Sequence, residues 1–199
     1  MLLQKVSKDV RSPVATHEAI FQRSSVRNYT GVRLSEEALQ ELLAAAVRAP
    51  TAMHEEPWQF VIVQDPATLN RLSDLAKRLV TAELARLHPE RAAKSPFTQR
   101  DFNVFYDAGT LIVICARAPG PFAAADCWLA AENLMLTAQA MGFGSCVIGS
   151  AVSALNTPEV KRELGIPATS TAVAPIIVGT AKGAWPATAR KPPEVVARR

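Results

Sequence analysis

The stretch AADCWLAAENLMLTAQAM, residues 124–141, decides the fold of this chain. Its apolar residues fall on almost every side of a helix, so the pattern predicts one long, buried α-helix. In a chain of 199 residues, that burial could come from the domain's own sheet or from a second subunit. The glycine-rich run that follows, residues 142–149, ends the helix and leads into a short strand.

The rest of the chain places further helices and strands around this helix. Ser35 can cap a helix that stops at Ala49-Pro50, and Thr157-Pro158 can start another that Gly165 ends. The irregular order of elements predicts the α+β class, in one domain over residues 16–199 after an N-terminal extension at 1–15. Helical spacing is also present at 16–22 and 69–79, and apolar runs of strand length at 58–63, 111–116 and 172–179.

Composition narrows the function classes. The three cysteines form no C-x-x-C pair, and no histidine cluster accompanies them, so we expect no zinc site and a reducing, cytoplasmic location. No run has the length of a signal peptide or membrane span, so we expect no membrane association. The formal charge is +4, but basic and aromatic residues do not interleave as in a single-strand binding face, so nucleic acid is not an expected partner.

The segment Arg23–Arg27 has the residue types that bind phosphate. Two arginines lie four residues apart, at the predicted end of a short helix, with the hydroxyls of Ser24 and Ser25 between them. Guanidinium groups bind phosphate oxygens in a bidentate manner, and hydroxyls supply neutral donors. A solvated basic turn explains the spacing alone equally well.

Two later segments could contact other parts of a ligand. The loop at 49–58 gathers His54, Glu55 and Glu56 between a helix and a strand. The run Gly142–Gly149 has glycines that let backbone amides approach a ligand closely. Taken singly, His54 fits a surface or core histidine, the glutamates fit solvated charges, and the glycines fit a tight helix-to-strand turn.

Together and in this order, these segments resemble the nitroreductase family of FMN-dependent oxidoreductases, from about Ile20 to the C-terminus. Arg23, Ser25 and Arg27 match the family's opening arginine-x-serine-x-arginine run. The loop with Ala49-Pro50-Thr51 and Pro57-Trp58 matches its alanine-proline-serine-serine loop ending in proline-tryptophan. The helix at 126–142, the following Gly144-Ser145-Cys146, and the tail Arg190-Lys191-Pro192 complete the resemblance.

The resemblance implies a three-layer α/β/α arrangement with a mostly antiparallel central sheet and a long, buried dimer helix. It also implies a homodimer with FMN at the subunit interface, some contacts coming from the partner subunit. Arg23, Ser24, Ser25, Arg27 and Arg190 would hold the phosphate end, Pro50 and Thr51 would border the isoalloxazine, and His54 and Glu56 would lie near its pyrimidine edge, with backbone at Ile148 and Gly149 facing its N5 side.

The implied activity is reduction of a small, flat, electron-poor acceptor, such as a nitroaromatic or a quinone, with NAD(P)H as donor and a ping-pong mechanism. The flavin carries the chemistry, so no catalytic side chain is expected. The same scaffold also supports flavin destruction, dehalogenation and oxidase-like reactions, and a non-catalytic basic binding module is a further alternative. A Rossmann domain is excluded, because no G-x-G-x-x-G follows an early strand.

Two residues depart from the family pattern. His54 and Glu56 stand where the family usually has asparagine and glutamine. A carboxylate can only accept hydrogen bonds, and its charge opposes an anionic reduced flavin. We therefore hypothesise a lowered reduction potential unless a protonated His54 pairs with Glu56.

Overall fold

The computed structural model describes residues 16–185 and 188–199; the expected N-terminal extension at 1–15 lies outside them. The helices are α1 (Thr16–Gln22), α2 (Glu36–Ala46), α3 (Pro66–Leu87), α4 (Pro89–Ala92), α5 (Ala123–Ala140), α6 (Val152–Leu155) and α7 (Pro158–Leu164). The strands are β1 (Trp58–Val63), β2 (Thr110–Ala116), β3 (Gly144–Val147) and β4 (Thr171–Gly179). Short 3₁₀ turns cover Ala52–His54, Pro96–Thr98 and Gly149–Ala151.

The four strands form one sheet in the order β1-β2-β4-β3, and every neighbouring pair is antiparallel. Ile112 of β2 lies opposite Ile62 of β1 and Ile176 of β4. The predicted α+β class and antiparallel sheet are therefore confirmed. Since β3 is an edge strand, its outer side is open to another segment of chain.

Helices cover both faces of this sheet, so the expected three layers are present. Ile112 and Ile114 of β2 pack in one core with α2 and α5. Leu111 and Val113 point to the other face and pack in a second core with α3 and α6. Because β2 is buried on both faces, its sequence is continuously apolar instead of alternating.

The structure shows how much of the uniformly apolar helix α5 is buried by the domain's own sheet. Cys127, Ala130 and Leu134 are fully buried against the sheet. On its opposite side, Trp128 and Leu129 are 43% and 46% exposed. The domain's own sheet thus buries one side of the helix and leaves a second apolar side uncovered.

Capping residues set the helix ends as the sequence predicts. Ser35 Oγ accepts from the Ala38 N–H at 3.3 Å at the start of α2. Gly165 ends α7 with a φ of 69°, in the left-handed region that glycine adopts without steric cost. Within the described residues, no helix combines the length and the apolar character needed to cross a membrane.

Candidate functional site

The basic segment Arg23–Arg27 lies along the open edge of the sheet. The Val26 N–H donates to the Ser145 carbonyl of β3 at 3.1 Å, and Ser25 forms a parallel bridge with Ser145. The Val26 side chain occupies the space beside Gly144, where a Cβ would lie only 2.9 Å from the Val26 Cβ. Glycine at 144 is therefore what lets the segment approach β3 so closely.

Three polar residues of this segment influence the buried thiol of Cys146. Burial raises the pKa of Cys146, while the charges of Arg27 and Arg23 and a hydrogen bond with Ser25 lower it. The net shift is upward, so Cys146 is a neutral thiol at pH 7.

Two further details show that the segment has unused binding capacity. Ser24 is 3% exposed, and its hydroxyl makes no hydrogen bond within the described part of the chain. Such an orphaned buried hydroxyl is uncommon, because it loses its hydration without compensation. Arg23, whose side chain is 17% exposed, has its Nε 3.6 Å from Glu132 Oε1 of α5. Glu132 is half exposed, so this contact is loose and can be replaced by a bound anion.

The loop at residues 51–56 has an unusual backbone. Met53, His54 and Glu56 have φ values of 54°, 57° and 44°, a region that non-glycine residues seldom adopt. All three are exposed. No ion pair joins His54 and Glu56 among the described residues, so the pairing that would offset the Glu56 charge is not formed here. The Ala52 N–H at the loop's base lies 3.3 Å from both carboxylate oxygens of Asp126.

Ile148 and Gly149 follow β3 and line a small cavity together with Arg27. The Ile148 N–H donates to the Pro175 carbonyl at 2.9 Å, so the amide of Gly149 is the better placed of the two to meet a ligand. A Cβ added at Gly149 would meet no atom within 4 Å. The space in front of this residue is therefore open.

Aromatic side chains also line this cavity. Phe97 and Phe102 meet edge to face with ring centroids 5.5 Å apart, and Phe102 meets Tyr106 in the same way at 5.7 Å. All three are partly buried and line the cavity, whereas Phe105 is 1% exposed and belongs to the core. The structure thus places Phe97, Phe102 and Tyr106 at the cavity and Phe105 in the core.

The structure brings some of the expected site residues together and leaves others apart. Arg23 and Ser24 directly precede Ser25, which bridges Ser145 of β3, and Arg27 shares a cavity with Ile148 and Gly149. Pro50, Thr51, His54 and Glu56 do not line that cavity. Arg190 lies in an exposed C-terminal stretch and makes no hydrogen bond or ion pair with any described residue.

Sequence reasoning missed two residues that contact the site. Asp126 and Glu132 lie on α5, where a charged residue inside an otherwise apolar helix was the available signal.

The antiparallel sheet between helical layers, with a doubly basic segment along its edge strand, defines an α+β protein whose site is suited to an anionic ligand. The Nitroreductase family model matches residues 20–180. The chain therefore belongs to the nitroreductase family.

Individual relatives agree with this assignment. A protein of Archaeoglobus fulgidus with the provisional name NADH dehydrogenase/NAD(P)H nitroreductase is 28% identical over 153 residues, which cover 74% of this chain and 75% of the relative. A protein of the same name from Methanothermobacter thermautotrophicus is 28% identical over 137 residues, covering 66% of this chain and 59% of the relative. The crystal structure of a nitroreductase with bound FMN from Bacteroides fragilis superposes with a TM-score of 0.76 at 26% identity, covering 92% of this chain and 96% of that one.

Proposed function

We propose that this protein is an FMN-dependent oxidoreductase that uses NAD(P)H to reduce a small, flat, electron-poor acceptor such as a nitroaromatic or a quinone. The observation that carries the proposal is the basic segment Arg23–Arg27 beside β3, where Ser25 bridges Ser145 and the buried Ser24 hydroxyl has no hydrogen-bond partner among the described residues. The family assignment and the FMN bound by the Bacteroides relative agree with it.

The residues present fit the phosphate end of FMN. Phosphate oxygens accept several hydrogen bonds at once, and the orphaned Ser24 hydroxyl offers a donor that no described residue uses. Arg23 and Arg27 would neutralise the phosphate charge, with Ser25 as a further donor. Arg190 would add a third cation if the tail folds back, a position that depends on the assembled protein.

The ring end of FMN needs more surface than one chain provides. The cavity between Arg27 and Gly149 has a volume of about 120 Å³, whereas pockets for ligands of this size hold roughly 300–1,000 Å³. A second copy of the chain would supply the missing wall, with Pro50, Thr51, His54 and Glu56 bordering the ring. Several large apolar side chains are exposed where such a copy would have to pack: Phe21 at 76%, Met53 at 86%, Phe122 at 58%, Trp128 at 43% and Leu129 at 46%.

When bound, the isoalloxazine supplies the redox chemistry, since it accepts a hydride from NAD(P)H and delivers electrons to the acceptor. The chain's own residues would bind the flavin and orient its ring. Ile148 and the aromatic wall Phe97, Phe102 and Tyr106 exclude water from one side of the ring position, and Gly149 leaves room for a close backbone approach. Donor and acceptor would occupy the same space in turn, which gives ping-pong kinetics.

Flavin retention tests the proposal most directly. We expect the purified protein to be yellow, or to bind added FMN, and to oxidise NADH or NADPH faster when a quinone or nitroaromatic is present. Arg23→Ala and Arg27→Ala each remove charge-assisted hydrogen bonds, so each should weaken FMN binding about tenfold or more. Arg162→Ala removes an arginine 78% exposed on α7 and serves as the matched control. A protein that stays colourless in excess FMN would refute the proposal.

Parallel lines in a double-reciprocal plot, at varied donor and fixed acceptor concentrations, would support the ping-pong scheme. Intersecting lines would mean that both substrates bind together. NAD(P)H oxidation that proceeds equally well in air without an added acceptor would instead favour an oxidase-like reaction on the same flavin.

A further inference from the structure

The carboxylate of Asp126 is an unusual group for its place in the fold. Asp126 lies in the first turn of α5 and is only 4% exposed. Its two oxygens are each 3.3 Å from the Ala52 N–H, and it makes no other hydrogen bond or ion pair within residues 16–185 and 188–199. A buried carboxylate is unfavourable unless it is hydrogen-bonded. The contact with the Ala52 N–H therefore offsets part of the cost of burying the Asp126 carboxylate.

The loop that receives this contact is weakly held otherwise. Inside residues 51–56, the Glu55 N–H donates to the Ala52 carbonyl at 3.1 Å. Among the described residues, the bond from Ala52 to Asp126 is the one hydrogen bond that joins this loop to the rest of the fold. Three of its residues have left-handed backbone conformations, which persist only where the surroundings impose them.

A second side chain of α5 fixes the chain just before the loop. Asn133 lies two turns after Asp126, and its Nδ2 donates to the Ala45 carbonyl at the end of α2 at 3.2 Å. The spacing of seven residues places both side chains on one side of the helix. Helix α5 therefore holds the chain at Ala45 and again at Ala52.

We propose that Asp126 is a positioning residue for the flavin ring: by accepting the Ala52 N–H, it holds the loop at 51–56 in the shape that meets the ring. The proposal rests on the function proposed above. Asp126 contacts the loop at Ala52, so it acts through Thr51, one residue before Ala52, and His54, two residues after it.

Hydrogen exchange of the flavin-free, full-length protein tests the anchor without any ligand. In Asp126→Ala, exchange of peptides that cover residues 51–56 should accelerate at least tenfold, because the amide acceptor is gone. Asp126→Asn keeps one acceptor oxygen and should lie between the wild type and the alanine variant. Asp65→Ala is the matched control, since Asp65 accepts from the Thr68 N–H at 2.8 Å at the start of α3. It should leave the loop's exchange unchanged.

Flavin binding then tests whether Asp126 positions the flavin ring. Asp126→Ala should weaken FMN binding about tenfold to a hundredfold, the range of a hydrogen bond to a charged group, and should shift the reduction potential of the bound flavin. Asp126→Asn should recover part of both. Because Asp126 acts through the loop, its effect should shrink when His54 is already alanine, so the double variant should lose less than the product of the single losses.

Three results would overturn the proposal. The first is loop exchange at the wild-type rate in Asp126→Ala, and the second is binding of FMN by this variant with wild-type affinity and potential. The third is a loss of FMN affinity equal to that of Asp65→Ala, which would reflect general destabilisation. Failure of the wild type to bind FMN would defeat the proposed function itself, and the exchange experiment would still decide whether Asp126 anchors the loop.

Discussion

Replacement of Ser24 by alanine should stabilise the flavin-free protein but weaken its binding of FMN. The Ser24 hydroxyl is buried without a hydrogen-bond partner among the described residues. An unsatisfied buried hydroxyl costs about 1–3 kcal/mol of stability. Ser24→Ala removes this cost and leaves a gap of only one oxygen atom. We therefore expect the free energy of unfolding of the flavin-free protein to rise by about 1 kcal/mol, and its Tm by about 2–4 °C.

The same substitution should weaken FMN binding. If the hydroxyl donates to the phosphate, it makes a hydrogen bond to a charged group, worth about 1.5–3 kcal/mol. Its loss corresponds to a Kd that is about tenfold to a hundredfold higher. Urea unfolding of the flavin-free protein measures the first effect, and quenching of FMN fluorescence on titration measures the second.

Ser170 offers a matched control, because it is a fully buried serine whose hydroxyl is satisfied. Its Oγ lies 2.7 Å from Gln59 Oε1 and 3.3 Å from the Arg117 carbonyl. Ser170→Ala should therefore lower stability and leave FMN affinity unchanged. A Ser24→Ala variant that loses stability as Ser170→Ala does, or that binds FMN as tightly as the wild type, would show that the Ser24 hydroxyl is not reserved for the phosphate.

Two further substitutions probe the two ends of the site. Gly144→Ala places a methyl group 2.9 Å from Val26, so it should cost about 1–3 kcal/mol of stability and weaken FMN binding. Adding Val26→Ala in a double variant should partly restore both stability and FMN binding. If urea unfolding shows no recovery of stability in the double variant, the close-packing explanation is contradicted. Glu56→Gln removes a negative charge from the expected pyrimidine edge, so spectroelectrochemistry should show a higher flavin reduction potential than in the wild type, whereas an unchanged potential would place Glu56 away from the ring.

The regular elements of this fold were predictable because their signals are local. Ser35 caps α2, Gly165 ends α7, and the apolar run of β2 marks a strand buried on both faces. Each feature depends on a few adjacent residues and on the period of the helix or strand. Residue type and spacing at Arg23–Arg27 fitted an anion site and a solvated basic turn equally well, so the expectation that this segment binds phosphate came from the resemblance of the later segments.

The contacts that shape the candidate site were not predictable in this way. The Ala52 amide and the Asp126 carboxylate are 74 residues apart in the chain, and no local pattern pairs them. The left-handed conformations of Met53, His54 and Glu56 have no glycine signal, because tertiary contacts impose them against local preference. The resemblance to the nitroreductase family located this loop, but its backbone shape and its anchor required the structure.

Helix α5 shows why an apolar pattern alone could not choose between burial in the chain and burial by a partner. Its buried residues recur at helical spacing and face the sheet, while Trp128, Leu129 and half-buried Leu136 lie away from this stripe. Because both stripes are apolar, the sequence pattern does not distinguish the sheet-facing side of the helix from the exposed side. Asp126 of α5 contacts the loop at Ala52, and Glu132 on the exposed side of the helix contacts Arg23. A second subunit packed on α5 would therefore lie near both ends of the proposed flavin site. Dimer formation and flavin binding would then depend on the same helix.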